Sequence, residues 1–173
     1  MMRHNERGIS NCIYLRKHCK CKKIKSKQIT IMAKLLAEKV RYIIVHCSAT
    51  AEGKQFGAKD IDRWHRAQGW DGIGYHYVVD LDGKVEQGRP EDKVGAHCAG
   101  LNSMSIGVCY IGGLAADGRT PKDTRTTQQK AALLSLIKRL KKKYPKARVV
   151  GHHDFNKGKA CPCFNATNEY EKV

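Results

Sequence analysis

The sequence has no long hydrophobic run: no apolar stretch approaches the roughly 18 to 20 residues of a membrane-spanning helix. A mean hydropathy of −0.55, with 41% hydrophobic residues, fits an ordinary water-soluble globular protein. An export signal is missing from the expected features as well. The basic N-terminus contains only Cys12-Ile13-Tyr14-Leu15 as an apolar segment, well short of the about 7 to 15 residues of a secretory core. Eight cysteines are therefore expected as thiols, kept for packing or metal binding, and not as a disulfide framework. Acidic residues are scarce, 16 against 33 Lys and Arg, which leaves a net charge of +17. No helix-turn-helix, aromatic RNA motif or zinc finger accompanies that charge, so it predicts non-specific attraction to polyanions and no sequence reader. A His-Glu-x-x-His helix is absent too, which removes the common metalloprotease pattern. No internal repeat is visible.

The charge that is present is unevenly placed. Residues 1–31 contain nine Lys and Arg against Glu6 alone. They show no hydrophobic periodicity, so a disordered basic extension over 1–39 is expected ahead of one domain at 40–173. Met32 opens a better-behaved stretch and is an alternative start. Cys12, Cys19 and Cys21 with His18 have no second half and make a weak metal cluster. Cys47, Cys98 and Cys109 lie in or beside apolar segments, where core packing is expected.

A chain of 173 residues has room for one core and not two. Tyr42 to Cys47 is a β-branched, apolar run that reads as a buried strand. Residues 57–68 carry Ile61, Trp64 and His65 at helical spacing, with Gly69 as a stop. Tyr75 to Leu81 and Lys84 to Gln87 flank Asp82-Gly83, which predicts a two-residue β-hairpin. Ser105 to Ile111 is another strand, and residues 114–125 read as an exposed loop. Thr126 to Gln129 has capping-box spacing, and Leu133, Leu136, Ile137, Leu140 and Tyr144 follow as the stripe of a long helix, leaving the lysines around it as a solvated face. Arg148 to Gly151 is a last strand. The order predicts a single α/β domain with a central mixed β-sheet flanked by helices.

Chemistry gathers at the strand ends. His46 closes the first strand, His152 follows the last, and Cys161 lies nine residues beyond in a loop with Gly158 and Pro162. Two imidazoles and a thiol suit a zinc ion whose fourth position is kept for water, the arrangement of a hydrolytic site. Lys159 is a candidate cation for an oxyanion, and Tyr75 a candidate phenol for orienting water or donating to a carbonyl.

Around these residues the motifs Val45-His46-Cys47-Ser48-Ala49-Thr50, Trp64-His65, Gln68-Gly69-Trp70, Gly74-Tyr75-His76, Asp82-Gly83-Lys84-Val85-Glu86, Gly88-Arg89, Asn102 with Ser105-Ile106-Gly107-Val108, and His152-His153 followed by Lys159-Ala160-Cys161-Pro162 run in order from about Arg41 to Phe164. In this the chain resembles the T-seven lysozyme type of zinc N-acetylmuramoyl-L-alanine amidases, a family that also includes peptidoglycan recognition proteins. The resemblance implies zinc held by His46, His152 and Cys161, catalysis by Tyr75 and Lys159, and cleavage of the amide between N-acetylmuramic acid and L-alanine of the stem peptide. His97 and Asn102 match positions near the substrate cleft and are substrate-binding candidates. His153 is expected off the metal, and His76 in packing. Cys163, two residues after Cys161, stays open as a rival ligand. Peptidoglycan or muropeptides are the implied partner of a monomer, held in the cytoplasm until released to the cell wall. A non-catalytic peptidoglycan-binding module and a regulator binding a polymerase or nucleic acid are the alternatives.

Overall fold

The computed structural model describes residues 38–173. The basic stretch 1–31, the alternative start at Met32 and the Cys12, Cys19, Cys21 and His18 group lie outside the described residues. In chain order the elements are β1 (Tyr42–Cys47), β2 (Thr50–Ala51), α1 (Ala58–Ala67), β3 (Tyr77–Val79), β4 (Val85–Gln87), β5 (Ser105–Tyr110), β6 (Gly113–Leu114), α2 (Thr127–Lys143), β7 (Arg148–Gly151) and α3 (Ala166–Glu169). Single 3-10 turns occupy Asn102–Met104 and His152–Asp154.

Five strands form one sheet in the order β4-β3-β5-β1-β7. β1 is parallel to both neighbours, β3 is parallel to β5, and only β3 and β4 are antiparallel. This is the mixed sheet expected from sequence. Its centre is β1, where Ile43, Ile44 and Val45 are fully buried, because a parallel strand between two others has both faces covered.

The two faces differ. Ile43, Val45 and Cys47 of β1, with Ile106 and Val108 of β5, pack against Leu133, Leu136, Ile137, Leu140 and Tyr144 of α2. The start of α2 is held by a reciprocal cap: Thr126 Oγ1 accepts from Gln129 N–H at 3.0 Å, and Gln129 Oε1 accepts from Thr126 N–H at 3.0 Å. Gln129 is buried, and its Nε2 donates to Val79 and Ile111 carbonyls at 3.2 and 2.9 Å. The helix N-terminus is thus tied to the last carbonyl of β3 and the first carbonyl after β5. On the opposite face Ala58 and Ile61 of α1 cover Val78, Cys109 and Ile111. Ile44, Val150 and Cys98 form a small third cluster.

Cys47, Cys98 and Cys109 are buried as their neighbours suggested. Two local expectations change. The hairpin turn is Leu81-Asp82-Gly83 rather than two residues: Asp80 N–H donates to Lys84 O, Gly83 N–H to Asp80 O, and Gly83 has φ 84°. That is a tight turn closed by a left-handed glycine, the three-residue hairpin. Within the stretch read as an exposed loop, Leu114 instead joins β6, which pairs in parallel with β2. A two-residue strand has no period for sequence to reveal.

Candidate active site and metal centre

Side chains alternate across a strand, so Ile44 and His46 share the face opposite α2. In the register of β1 with β7, Ile44 lies beside Val150 and Val45 beside Gly151. Continuing by one residue brings His152 next to His46, and the ring centroids are 4.7 Å apart. Cys161 reaches the same point through a pinned loop. His153 N–H donates to Cys161 O at 2.8 Å, Cys163 N–H donates to Ala160 O at 2.7 Å, and the Tyr110 hydroxyl donates to Pro162 O at 2.7 Å. Gly151 is required beneath it, since a Cβ there would stand 2.7 Å from Pro162 Cδ. The Cys161 sulfur accepts the Cys47 backbone N–H at 3.3 Å and lies 3.7 Å from His46 Nδ1.

One donor atom from each of His46, His152 and Cys161 falls within 4.8 Å of the others. Ligands at about 2.0 to 2.3 Å around a tetrahedral zinc ion stand roughly 3.3 to 3.6 Å apart, so the His46 to Cys161 distance is already close to that of a loaded site. The donor set fits the metal. Burial holds His46 well below the usual imidazole range, with His97 and His152 adding to the effect. His152 is lowered by burial and then by the charge of Lys159. Both imidazoles are therefore neutral at pH 7, the form that binds a metal.

Tyr75 lies just before β3, its ring 5.1 Å from that of His46. Helix α1 holds this segment. Asp62 Oδ1 accepts Ile73 N–H at 2.8 Å, His65 Nδ1 accepts Gly74 N–H at 3.0 Å, and Arg89 Nε donates to Ile73 O at 2.9 Å. Gly74 admits no side chain, because a Cβ would sit 2.0 Å from Ala96 O. Burial, followed by the nearby thiols of Cys109, Cys161 and Cys47, raises the Tyr75 phenol well above its ordinary value, so it keeps its proton.

The remaining candidates fall into distinct places. Lys159 is exposed on the loop leading to Cys161. The Cys163 sulfur points away from the three donors, donating to Gly113 O at 3.1 Å and lying 3.8 Å from the Cys47 sulfur. His153 pairs with Asp154 at 3.3 Å. His76 is buried, accepting Gly107 N–H on Nδ1 at 3.0 Å and contacting Lys93 O through Nε2 at 3.1 Å. His97 is 9% exposed, with Nδ1 3.0 Å from His46 Nε2. Asn102 Oδ1 accepts the backbone N–H groups of His97 and Cys98 at 2.9 and 2.8 Å.

A cleft of about 420 Å³ opens beside His152, lined among others by Trp70, His97, Asn102, Phe155 and Asn156. Trp70 and Phe155 are each 41% exposed and give it aromatic walls. Sequence reasoning gave neither of them a role: Phe155 belongs to no periodic pattern or quoted motif, and Trp70 entered only as the last residue of the motif Gln68-Gly69-Trp70.

Residues 36–164 match the protein family described as N-acetylmuramoyl-L-alanine amidase. The chain belongs to that family. It is 46% identical over 121 residues to the endolysin of Enterobacteria phage K11, covering 70% of this chain and 79% of that protein. Against the endolysin of Escherichia phage T7 it is 42% identical over 130 residues, covering 75% and 85%. Among solved structures, the N-acetylmuramoyl-L-alanine amidase LysC from Clostridium intestinale superposes with a TM-score of 0.65 at 30% identity, covering 78% of this chain and 83% of its own. The family match spans every element from β1 to β7, together with the loop that brings Cys161 to the two histidines.

Proposed function

We propose that this family member is a zinc-dependent peptidoglycan hydrolase of the endolysin kind, cleaving the amide between N-acetylmuramic acid and L-alanine of the stem peptide. The observation that carries the reading is the convergence of His46, His152 and Cys161 donor atoms within 4.8 Å of one another, at the edge of a cleft with aromatic walls. These three residues are the zinc ligands. The chemistry a zinc ion supplies when bound is Lewis acidity toward a carbonyl and activation of water at neutral pH.

The chain's own residues do the rest. Tyr75 retains its phenol proton and donates it as a hydrogen bond to the scissile carbonyl oxygen. Lys159, an exposed ammonium on the loop two residues from Cys161, faces negative charge as it develops on that oxygen, where a fixed donor stabilises the transition state more than the ground state. Trp70 and Phe155 flank the sugar and peptide, and Asn102, whose carbonyl oxygen is already bonded, offers its amide NH2 to the substrate. The surplus of Lys and Arg favours an anionic cell wall as the surface acted upon. No helix among the described residues is long and apolar enough to cross a membrane.

Digestion of purified peptidoglycan with and without a chelator tests this directly. Mass analysis should find free stem peptides with N-terminal alanine only in the zinc-replete reaction. Products cut solely at glycan bonds or at peptide crosslinks would overturn the bond assignment, and unchanged activity after zinc removal would overturn the metal.

A further inference from the structure

His97 and Ser105 form a hydrogen-bonded relay behind His46 whose donor directions can be read from one end to the other. The Ser105 hydroxyl donates to Leu101 O at 2.8 Å, which leaves Ser105 Oγ as an acceptor toward His97 Nε2, 3.5 Å away. His97 therefore carries its proton on Nε2 and presents a bare Nδ1. That atom is 3.0 Å from His46 Nε2, so His46 is the donor there and its proton is on Nε2. The His46 Nδ1 lone pair is consequently the one that faces the Cys161 sulfur at 3.7 Å. The opposite polarity would put a proton on His46 Nδ1, between the donors that have to converge.

The fold builds a seat for the His97 ring. Gly107 of β5 lies opposite Ile44 of β1, and a Cβ on it would stand 2.5 Å from His97 Cδ2. A Cβ on Gly95 would stand 2.6 Å from the same atom. Two glycines thus leave a slot in the sheet face that one imidazole fills. The backbone around it is clamped by Asn102, and Ala96 N–H donates to Gly74 O at 3.1 Å, which ties the same segment to the residue before Tyr75. With both ring nitrogens engaged and little of the ring exposed, His97 has no polar atom left for substrate.

We propose that His97 is a positioning residue: seated over Gly107 and oriented by Ser105, it fixes the ring angle and tautomer of His46 so that Nδ1 is presented for metal binding. The proposal rests on the zinc reading above. It replaces a substrate-binding role for His97 with a role behind the metal. Partners that hydrogen-bond the far nitrogen of a metal-binding histidine typically change metal affinity by about 10 to 100-fold.

Zinc affinity measured by chelator competition tests it without reference to activity. Wild type should bind one zinc ion, and His152→Ala should lose it; wild type without zinc would overturn the metal reading itself. With zinc bound by wild type, His97→Leu should weaken binding about 10 to 100-fold. His97→Asn, which restores an acceptor near the position of Nδ1, should recover most of that loss. Affinity of His97→Leu within twofold of wild type would overturn the proposal while leaving the metal reading intact. Should His97→Leu fail to fold, Ser105→Ala and nitrogen-15 imaging of the histidine rings by NMR decide instead. Metal-free wild type should show His46 protonated on Nε2, and Ser105→Ala should convert part of it to the other tautomer. A wild-type His46 protonated on Nδ1 would overturn the proposal.

Discussion

Two buried polar clusters, one under α3 and one under the cleft, contain similar amounts of hydrogen-bonding chemistry and do opposite things with it. In the first, Arg125 has a side chain only 2% exposed. Its Nε and Nη2 donate to Asp123, Nη1 and Nη2 donate to Glu169, and its guanidinium carbon lies 3.2 Å over the Phe164 ring. Its donors meet carboxylates, and the cluster is complete. In the second, the relay through Ser105, His97 and His46 is equally ordered but ends on a lone pair. His152 and Cys161 bring their own metal-ligating atoms to within 4.8 Å of it, with no carboxylate among the three side chains. Burial of polar groups is thus no mark of a functional site. What marks it is the convergence of three metal-ligating atoms, two imidazole nitrogens and a sulfur, on one point that a cation can occupy.

The sharpest way to break the contrast is to alter one of the ligating atoms. Cys161→Ser should reduce zinc affinity by more than the roughly 100-fold seen at the upper end for outer hydrogen-bond partners, and amidase activity should fall with it. Cys163→Ser should retain zinc, because that sulfur is turned toward Gly113 and Cys47. Bound zinc measured after exhaustive dialysis separates the two thiols. Retention by Cys161→Ser together with loss by Cys163→Ser would move the ligand to Cys163 and overturn the assignment to Cys161.

Much of this distinction was open to a reader of the sequence, and the part that was not has a physical cause. The strand Tyr42–Cys47 was legible because four consecutive apolar or β-branched residues, Tyr42 to Val45, admit few other readings, and α2 because its cap and stripe agree. His46 and His152 could be placed at neighbouring strand ends by element order alone. Their pairing on one face depends on the parallel register of β1 with β7, which no local pattern encodes. Cys161 and Cys163 were indistinguishable by spacing. Their separate directions come from the loop, where Cys163 has φ 68° and Tyr110, from another strand, holds the intervening Pro162 carbonyl. The bounds of α1 were legible, residues 57–68 from spacing against Ala58–Ala67 in the structure, but not what holds its start: Gly57 has no side chain to offer, and Glu86 of β4 accepts Ala58 N–H at 2.7 Å from across the fold.

Disturbing the complete cluster should affect stability and spare the metal. Arg125→Met removes the charge that Asp123 and Glu169 share. Breaking a fully buried ion pair costs about 3 to 5 kcal/mol, but these carboxylates are 31% and 39% exposed and can be rehydrated, so a loss of about 1 to 3 kcal/mol is expected. Denaturant unfolding reads the loss, and zinc affinity of the folded variant should match wild type. A variant as stable as wild type but poor in zinc would reverse the roles assigned to the two clusters.

A third polar site tests the same principle from the unfavourable side. Asp80 Oδ1 is buried and has no hydrogen-bond partner among the described residues. Burial, then the negative charges of Glu86, Asp82 and Asp60, push its carboxyl up to about 6, with Lys84 opposing. A carboxyl with a raised pKa binds its proton more tightly in the folded state, so folding stability falls as pH rises from about 4 to about 6 and the penalty is constant above that. Asp80→Asn should remove this penalty, gaining about 1 kcal/mol at pH 7 once solvent screening is allowed for, and nothing at pH 4. The difference between variant and wild type isolates the carboxyl, because histidines that titrate over the same range are common to both. Parallel stability curves from pH 4 to pH 7 would mean that the Asp80 carboxylate finds a partner or water after all. In that event a buried carboxylate oxygen would carry no penalty by itself, and the mark of a site would be the meeting of several ligating atoms, as at His46, His152 and Cys161.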